Sequence, residues 1–317
     1  MEIEERVRYY MGKWYDTPIT IYNTKQYMLQ DIYNDTILLL DIHTIKRTPI
    51  FAQYSKYLID IQGTFEDKAF LYTKGDVIHK GKKLPILCKV TDLGHSHIIV
   101  KLNHIRHWSL VRSVRANDIE YTSKKNSIVW RGSTTGITTR FRFDLVNKYK
   151  THPVFDIGFT TVCQRAAVDA SSIKPKLSLR DQLQYKFILS IEGNDVSSGL
   201  KWQLYSNSVV IMAKPTCVSW AMEDKLIPWV HYLPVKEDFS NLEEVFQWGL
   251  VHESKCKAIT VAAQKFIEQF LDEEKELEIH RRIIARYAKN VTICDAEEPE
   301  KKGSSYCSRF APPSFSP

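Results

Sequence analysis

YKFILSIEGNDVSSGLKWQLYSNSVVIM, residues 185–212, is the stretch on which the reading of this chain turns. KFILSIEG (186–193) is a short apolar run of the kind that forms a buried strand, and NSVVIMA (207–213) is a second one. Between them a polar turn leads into a segment predicted to be helical from about Ser197 to Ser206. The turn concentrates Glu192, Asn194, Asp195, Ser197 and Ser198, with Lys201 one turn further on. In parallel α/β folds a ligand binds at the carboxyl ends of the strands, beside the following helix. A helix starting near Ser197 would aim free N–H groups and its positive end at that place, which suits a phosphate. Lys201 would add charge, and Gly199 would let a ligand come close. The same residues also fit a plain strand–turn–helix in which Ser197 is only an N-cap. The chain has no P-loop and no G-x-G-x-x-G, which excludes the usual ATPase and dinucleotide motifs.

Working outward, NSIVWRG (126–132) reads as a strand running into a Gly-Ser-Thr-Thr-Gly loop. FRFDLVNKYK (141–150) reads as a helix, PVFDIGF (153–159) as a strand and SLRDQLQ (178–184) as a short helix. WVHYLPV (229–235) is a further predicted strand, with Trp229 and His231 open to packing or ligand roles. Ser240 and Glu243 have the spacing of a capping box for a helix through Trp248. Residues 254–288 give one long helical pattern, with Ile259, Ala263, Phe266, Phe270, Leu277 and Ile284 near one face. Strands alternating with helices over 126–250 imply a parallel α/β layer. The first third alternates short apolar runs and turns. TILLLDIH (36–43), KYLIDIQG (56–63), KAFLYTKGD (68–76), LPILCKV (84–90) and HIIVKL (97–102) read as strands, with helices near 1–12 and 22–31.

At 317 residues the chain is long enough for two cores, since single cores stop growing at about 250–300 residues. Its formal charge of +7 is spread over small clusters, which fits an anionic ligand, an anionic membrane surface or nucleic acid. The scatter and the lack of a recognised nucleic-acid motif rank the last of these lowest. The six cysteines include no C-x-x-C pair, so no zinc knuckle or thioredoxin-like site is encoded. MEIEERVRYYMGKWYD carries acids where a secretory leader is basic, and no run approaches the ~18 apolar residues of a membrane span. A cytoplasmic protein with reduced thiols is expected.

Three blocks carry a family resemblance: IVWRGSTTG (128–136) with Arg140 beyond it, the opening stretch, and LIPWVHYLPVKEDFSNLEEVFQW (226–248). In order and spacing they resemble glycosyltransferase family 90, which includes Rumi-type protein O-glucosyltransferases, fungal capsule-associated xylosyltransferases and bacterial lipopolysaccharide-modifying enzymes. The resemblance covers 126–250 well and the first 125 residues loosely. It implies an α/β, GT-B-like architecture of two Rossmann-like domains facing across a cleft. The segments are then an acceptor-side domain (1–125), a donor domain (126–252), a long helix packing back across the domains (253–290) and a disordered tail (291–317). It also implies an inverting, metal-independent transfer from a nucleotide-diphosphate sugar, UDP-linked in the first instance, with no further cofactor. The acceptor implied is a glycan or lipid-linked glycan such as a lipopolysaccharide or capsule precursor. A basic surface would permit peripheral contact with an anionic inner membrane.

Residue by residue, the resemblance places Arg131, Gly132, Ser133, Arg140, Glu192, Gly193, Asn194, Asp195, Ser197, Ser198, Lys201 and Glu223 at the donor. Cations there would stabilise charge on the departing diphosphate. The chain departs from Rumi-type members at Gly199, where they carry Arg, and its EGND form looks more like the bacterial branch. Inversion needs one general base for the acceptor hydroxyl, and Asp76 is the family counterpart, with Asp92 as competitor. Lys101, Arg106 and His107 would then lie near the cleft, or line a solvated strand edge. The alternative functions are a nucleotide-sugar-binding module without turnover and, last, a basic nucleic-acid-binding protein.

Overall fold

The computed structural model describes residues 1–23, 37–61, 68–76, 78, 83–136, 141–164 and 166–295. Their helices are α1 Ile3–Met11, α2 Ile42–Arg47, α3 Pro49–Tyr54, α4 Lys56–Asp60, α5 His104–Trp108, α6 Val114–Asn117, α7 Phe141–Tyr149, α8 Leu179–Gln182, α9 Leu200–Leu204, α10 Leu242–Val251, α11 Glu253–Glu268 and α12 Glu273–Asn290. The strands are β1 Ile19–Asn23, β2 Leu38–Asp41, β3 Ala69–Tyr72, β4 Leu87–Cys88, β5 Val90–Asp92, β6 Ile98–Ile99, β7 Lys125–Ser133, β8 Phe155–Thr161, β9 Tyr185–Ser190, β10 Val209–Met212, β11 Cys217–Ser219, β12 Leu233–Pro234 and β13 Val291–Asp295. The described residues fold into two compact units, one drawn from 1–103 with 273–295 and the other from 104–272. These limits differ from the segments drawn on the sequence, because α12 and β13 return to the first unit while α11 stays with the second.

The second unit is the α/β layer expected from the alternating pattern. Its sheet has the order β12-β10-β9-β7-β8, and every described pairing in it is parallel. Ile128, Trp130, Phe187, Leu189 and Ile211 join Phe143 and Val146 of α7 and Val245 and Phe246 of α10 in one buried cluster. A Cβ on Gly249 would lie 2.6 Å from the Phe187 ring, so glycine is what lets α10 sit tight on β9. Strands β7 to β10 were each legible from an apolar run.

The first unit has a mixed sheet, β2-β3-β4-β6, antiparallel between β2 and β3 and parallel beyond, and a separate parallel pair β1-β13. KYLIDIQG is not a strand here. Tyr54, Leu58 and Ile61 are buried at i, i+4 and i+7, so the apolar run is one helical face and Lys56–Asp60 forms α4. The helix expected at 22–31 begins in strand β1 and otherwise lies outside the described residues.

Four expectations in the carboxyl-terminal half are also corrected. The single helix over 254–288 is two helices. The Phe270 and Leu271 N–H groups reach carbonyls only three residues back, which tightens and ends α11, and the acids Glu273, Glu274 and Glu276 favour a fresh start at α12. Residues 291–295 form β13 rather than tail, and 296–317 lie outside the described residues. Only Leu233–Pro234 of the segment 229–235 joins the sheet, since 227–232 folds into a turn closed by Trp229 and His231 backbone bonds. Ser240 donates its N–H to Asp238 and does not cap α10, which starts after Asn241.

Charged groups are buried in the first unit. Arg6 of α1 meets Glu276 of α12 at 2.5 Å, and Lys101 lies 3.6 Å from the same carboxylate. His280 sits beside them, its Nε2 accepting from the Lys101 backbone N–H at 2.8 Å. Its Nδ1 therefore donates to the Glu276 carbonyl at 2.7 Å, which fixes a neutral ring. Burial opposes the charged ring more than Glu276 favours it, and the His280 pKa falls from 6.5 to about 4.

The unfolded chain thus takes up a proton at His280 near pH 6.5 and the folded chain only near pH 4. Stability from this group is complete above pH 6.5 and is lost as pH falls through 4, on the order of 3 kcal/mol at about 1.4 kcal/mol per pH unit. In urea unfolding across that window, the native protein is expected to lose stability more steeply than His280→Leu.

Candidate functional site

The carboxyl edge of the sheet in the second unit gathers the loops after β7 and β9, and a side chain absent from the sequence-based set holds them. Arg142, in the first turn of α7, is buried and donates to four oxygens. Its Nε bonds the Glu192 carbonyl at 3.0 Å and one terminal nitrogen bonds the Ile191 carbonyl at 2.7 Å. The other terminal nitrogen bonds the Ser133 carbonyl at 3.0 Å and Thr135 Oγ1 at 2.7 Å. One guanidinium, a rigid fork of five donors, thereby links the end of β7 to the end of β9. The same group lies 5.6 Å from the centre of the Trp130 ring.

The two loops also meet directly. Asn194 Oδ1 accepts from the Gly136 N–H at 2.9 Å and from Gln164 Nε2 at 3.3 Å. Gly136 has φ +79°, and a Cβ there would lie 3.0 Å from the Gly193 carbonyl. A Cβ on Gly193 would lie 2.7 Å from Thr135 Oγ1. Both positions need glycine, for backbone angle in the first case and close approach in both. Gly132 is constrained too, since a Cβ would meet the Trp130 ring at 2.3 Å. Ser133 and Thr135 hydroxyls are 3.1 Å apart. Ser197, Ser198 and Gly193 are half-buried along this edge, Asn194 is exposed and Asp195 is buried. The structure thus brings together Gly132, Ser133, Glu192, Gly193, Asn194 and Asp195, with Ser197 and Ser198 on the chain that follows.

Other expected residues hold the protein rather than face outward. All five N–H groups of Arg131 are used: on the Pro175, Trp130 and Asp156 carbonyls and, in a two-pronged pair at 2.8 and 2.9 Å, on the Asp156 carboxylate. Burial opposes the Asp156 charge, but Lys174 and Arg131 together hold its pKa below the ordinary value. Lys201 is fully buried and bonds Glu223 at 2.7 Å. Glu223 also accepts from the Ser219 N–H at 2.7 Å and the Ser219 hydroxyl. The expected helix from Ser197 is only the five residues of α9, and it begins at Leu200, after Ser197 has accepted a turn bond from the Leu200 N–H. So short a helix, with its lysine paired inward, does not form the phosphate cradle drawn from the sequence. Arg140 lies outside the described residues.

Glu192 is not aimed as a free carboxylate. It accepts from the Thr216 N–H at 3.1 Å and hydroxyl at 2.5 Å, and Cys217 Sγ is 3.7 Å away. Burial, with a smaller push from Glu223, raises its pKa against the pull of Thr216. Burial also pushes the Cys217 thiol up, which makes it a poor nucleophile. Among the described residues, no group of three or more His, Cys, Asp or Glu is placed to hold a metal ion.

In the first unit Asp76 follows β3, and its carboxylate accepts from Lys89 Nζ at 2.5 Å, with the lysine buried. The Tyr54 hydroxyl brackets the neighbouring Gly75 through both its carbonyl and its N–H. Asp92 is occupied as a turn former, accepting from the Gly94 N–H at 2.9 Å and the Ser96 N–H at 3.3 Å. Lys101 and His107 are buried, not on a solvated edge, whereas Arg106 is exposed.

The model of glycosyl transferase family 90 matches residues 94–304. The chain belongs to that family. It is 33% identical over 202 residues to the O-glucosyltransferase LpsA of Dichelobacter nodosus, an alignment covering 62% of this chain and 59% of LpsA. Protein O-glucosyltransferase 2 of Danio rerio is 29% identical over 113 residues, 35% of this chain and 22% of that protein. Human protein O-glucosyltransferase 1 is 26% identical over 111 residues, 35% of this chain and 28% of its own. The chain thus spans about three fifths of LpsA and less than a third of the two animal proteins.

Replacing Arg142 by Met leaves the Ser133, Ile191 and Glu192 carbonyls without their donor. At about 1–3 kcal/mol for a buried group left unpaired, and toward the lower end for the two half-buried ones, the variant should lose roughly 3–5 kcal/mol, read as a lower urea midpoint at an unchanged slope.

Proposed function

We propose that the chain moves a sugar from a nucleotide-diphosphate sugar, UDP-linked in the first instance, to a glycan hydroxyl such as one on a lipopolysaccharide or capsule precursor. The transfer inverts the anomeric centre, uses no metal ion and takes place in the GT-B arrangement that the family resemblance implies. The observation that carries this reading is the joined pair of loops at the carboxyl ends of β7 and β9, fixed by Arg142 and by the Asn194–Gly136 bond. Such an edge of a parallel sheet is where α/β proteins bind nucleotides. The hydroxyls of Ser133, Thr135, Ser197 and Ser198, and the Asn194 amide, supply the hydrogen-bonding groups for diphosphate, ribose and sugar, with Arg140 next in the chain.

Asp76 is the proposed base. It would take the proton of the acceptor hydroxyl as that oxygen attacks the anomeric carbon, and the nucleoside diphosphate would leave with the bonding electrons. Its carboxylate is held at the end of β3 by the ammonium of buried Lys89, whereas Asp92 is occupied by the two N–H groups of its own turn.

The test is sugar transfer and nucleotide binding measured on the same preparations. Asp76→Asn should retain nucleotide binding and lose about 10²–10⁴-fold in turnover, the usual contribution of a general base. Asp92→Asn should stay within a few-fold of the native protein, and excess EDTA should change neither quantity. A native protein that binds the nucleotide sugar yet transfers nothing, with Asp76→Asn indistinguishable from it, would leave a binding module in place of an enzyme.

A further inference from the structure

Of the second unit's exposed large apolar side chains, five lie on three elements that touch one another: the turn 227–232, the end of α10 and α11. Ile227, Trp229, Val230, Val251 and Val261 are 53%, 47%, 43%, 78% and 64% exposed. The parts are joined by contact. Trp229 meets the Trp248 ring edge-on at 4.7 Å, Trp248 stacks on His252 at 4.3 Å, and His231 lies 5.2 Å from Phe266 of α11. Trp229 has φ +65°, a left-handed conformation rare for so bulky a residue. It is held there by its own N–H on the Tyr232 carbonyl and by His231, whose N–H bonds the Ile227 carbonyl and whose ring accepts the Ile227 N–H. The fold therefore fixes an indole half out of the protein, where collapse into the core would be the ordinary outcome.

Between its ends, α11 carries charge of one sign. From Ser254 to Ile267 the sequence of α11 contains Lys255, Lys257 and Lys265 and no acid. All three lysines are exposed on the same helix as Val261, and the Lys255 ammonium lies 5.8 Å from the centre of the Trp248 ring. The acids at its two ends are already matched: Glu253 by Lys186 and Lys257, and Glu268 by Arg115. Asp224, before the turn, lies 3.6 Å from Lys225. An exposed tryptophan among aliphatic side chains, beside lysines, matches the boundary between headgroups and acyl chains of an anionic bilayer. No helix among the described residues is long and apolar enough to cross a membrane, so contact would be from one side.

We propose that the turn 227–232 and the outer face of α11 dock this protein on an anionic lipid bilayer. Trp229, Val230 and Val261 enter the interface and Lys255 and Lys265 meet the headgroups. The turn precedes β12, so this surface lies at the amino end of the sheet, opposite the loops after β7 and β9. It stands whether or not those loops bind a nucleotide sugar.

The experiment is co-sedimentation of the purified chain with vesicles of neutral phosphatidylcholine, with and without anionic phosphatidylglycerol, alongside tryptophan emission. The native chain should bind the anionic vesicles with a blue shift and release them in high salt. At about fivefold per lysine, K255Q/K265Q should weaken partitioning roughly 30-fold. Val261→Asp, at a site too exposed to carry the core, should weaken it at least tenfold without changing the melting temperature. Trp229→Ser should abolish the emission shift. Failure to bind anionic vesicles, or binding untouched by these substitutions, overturns the proposal. So does concentration-dependent self-association of the native chain that Val261→Asp removes, since a second copy would then occupy the face.

Discussion

The candidate site depends on one guanidinium. Arg142 spans the space between two parallel strands and bonds three backbone carbonyls at or just beyond their carboxyl ends. Loops at the end of a parallel sheet carry such orphan carbonyls by necessity, and a buried one without a donor is costly. A lysine could not replace this group, because its three donors radiate from a point while the arginine fork addresses several oxygens in one plane. With the loops tied, Gly136 and Gly193 pass close together, and the hydroxyls of Ser133 and Thr135 are held 3.1 Å apart at that edge.

The same economy of charge governs the rest of the site. Lys201 and Glu223 satisfy each other below the loops, and Arg131 and Lys174 share Asp156 beside β8. These pairs fix the scaffold, since removing one partner strands a buried charge. In the proposed transfer, cationic stabilisation of a leaving diphosphate would then come from other groups, from backbone N–H groups or from a rearrangement that releases one of these pairs.

The sequence made the parallel layer legible because β9 and β10 are almost wholly buried apolar runs and β7 and β8 each carry a buried apolar centre. It misled where periodicity was short. In KYLIDIQG, Tyr57 and Leu58 fit a strand or a helix equally, and only the burial of Tyr54 and Ile61 shows the helical face. The break between α11 and α12 was written as three acids in four residues, Glu273, Glu274 and Glu276, a start signal hidden inside a continuing apolar stripe. Of the site, the polar turn 192–198 was readable from its composition. Arg142 was not, because an arginine between Phe141 and Phe143 reads as one residue of a helix. Lys201 looked like a ligand group because its partner Glu223 is distant in sequence. Such pairings are set by tertiary packing, which spacing does not encode.

Hydrogen exchange of the native chain, with and without saturating UDP, tests the central claim most directly. If the loops after β7 and β9 form the donor site, protection on adding the nucleotide falls on residues 132–136 and 191–199. Residues 227–232, at the other end of the sheet, should stay unchanged. Binding that protects the amino end of the sheet instead, or no protection of the two tied loops at any nucleotide diphosphate concentration, would contradict the account.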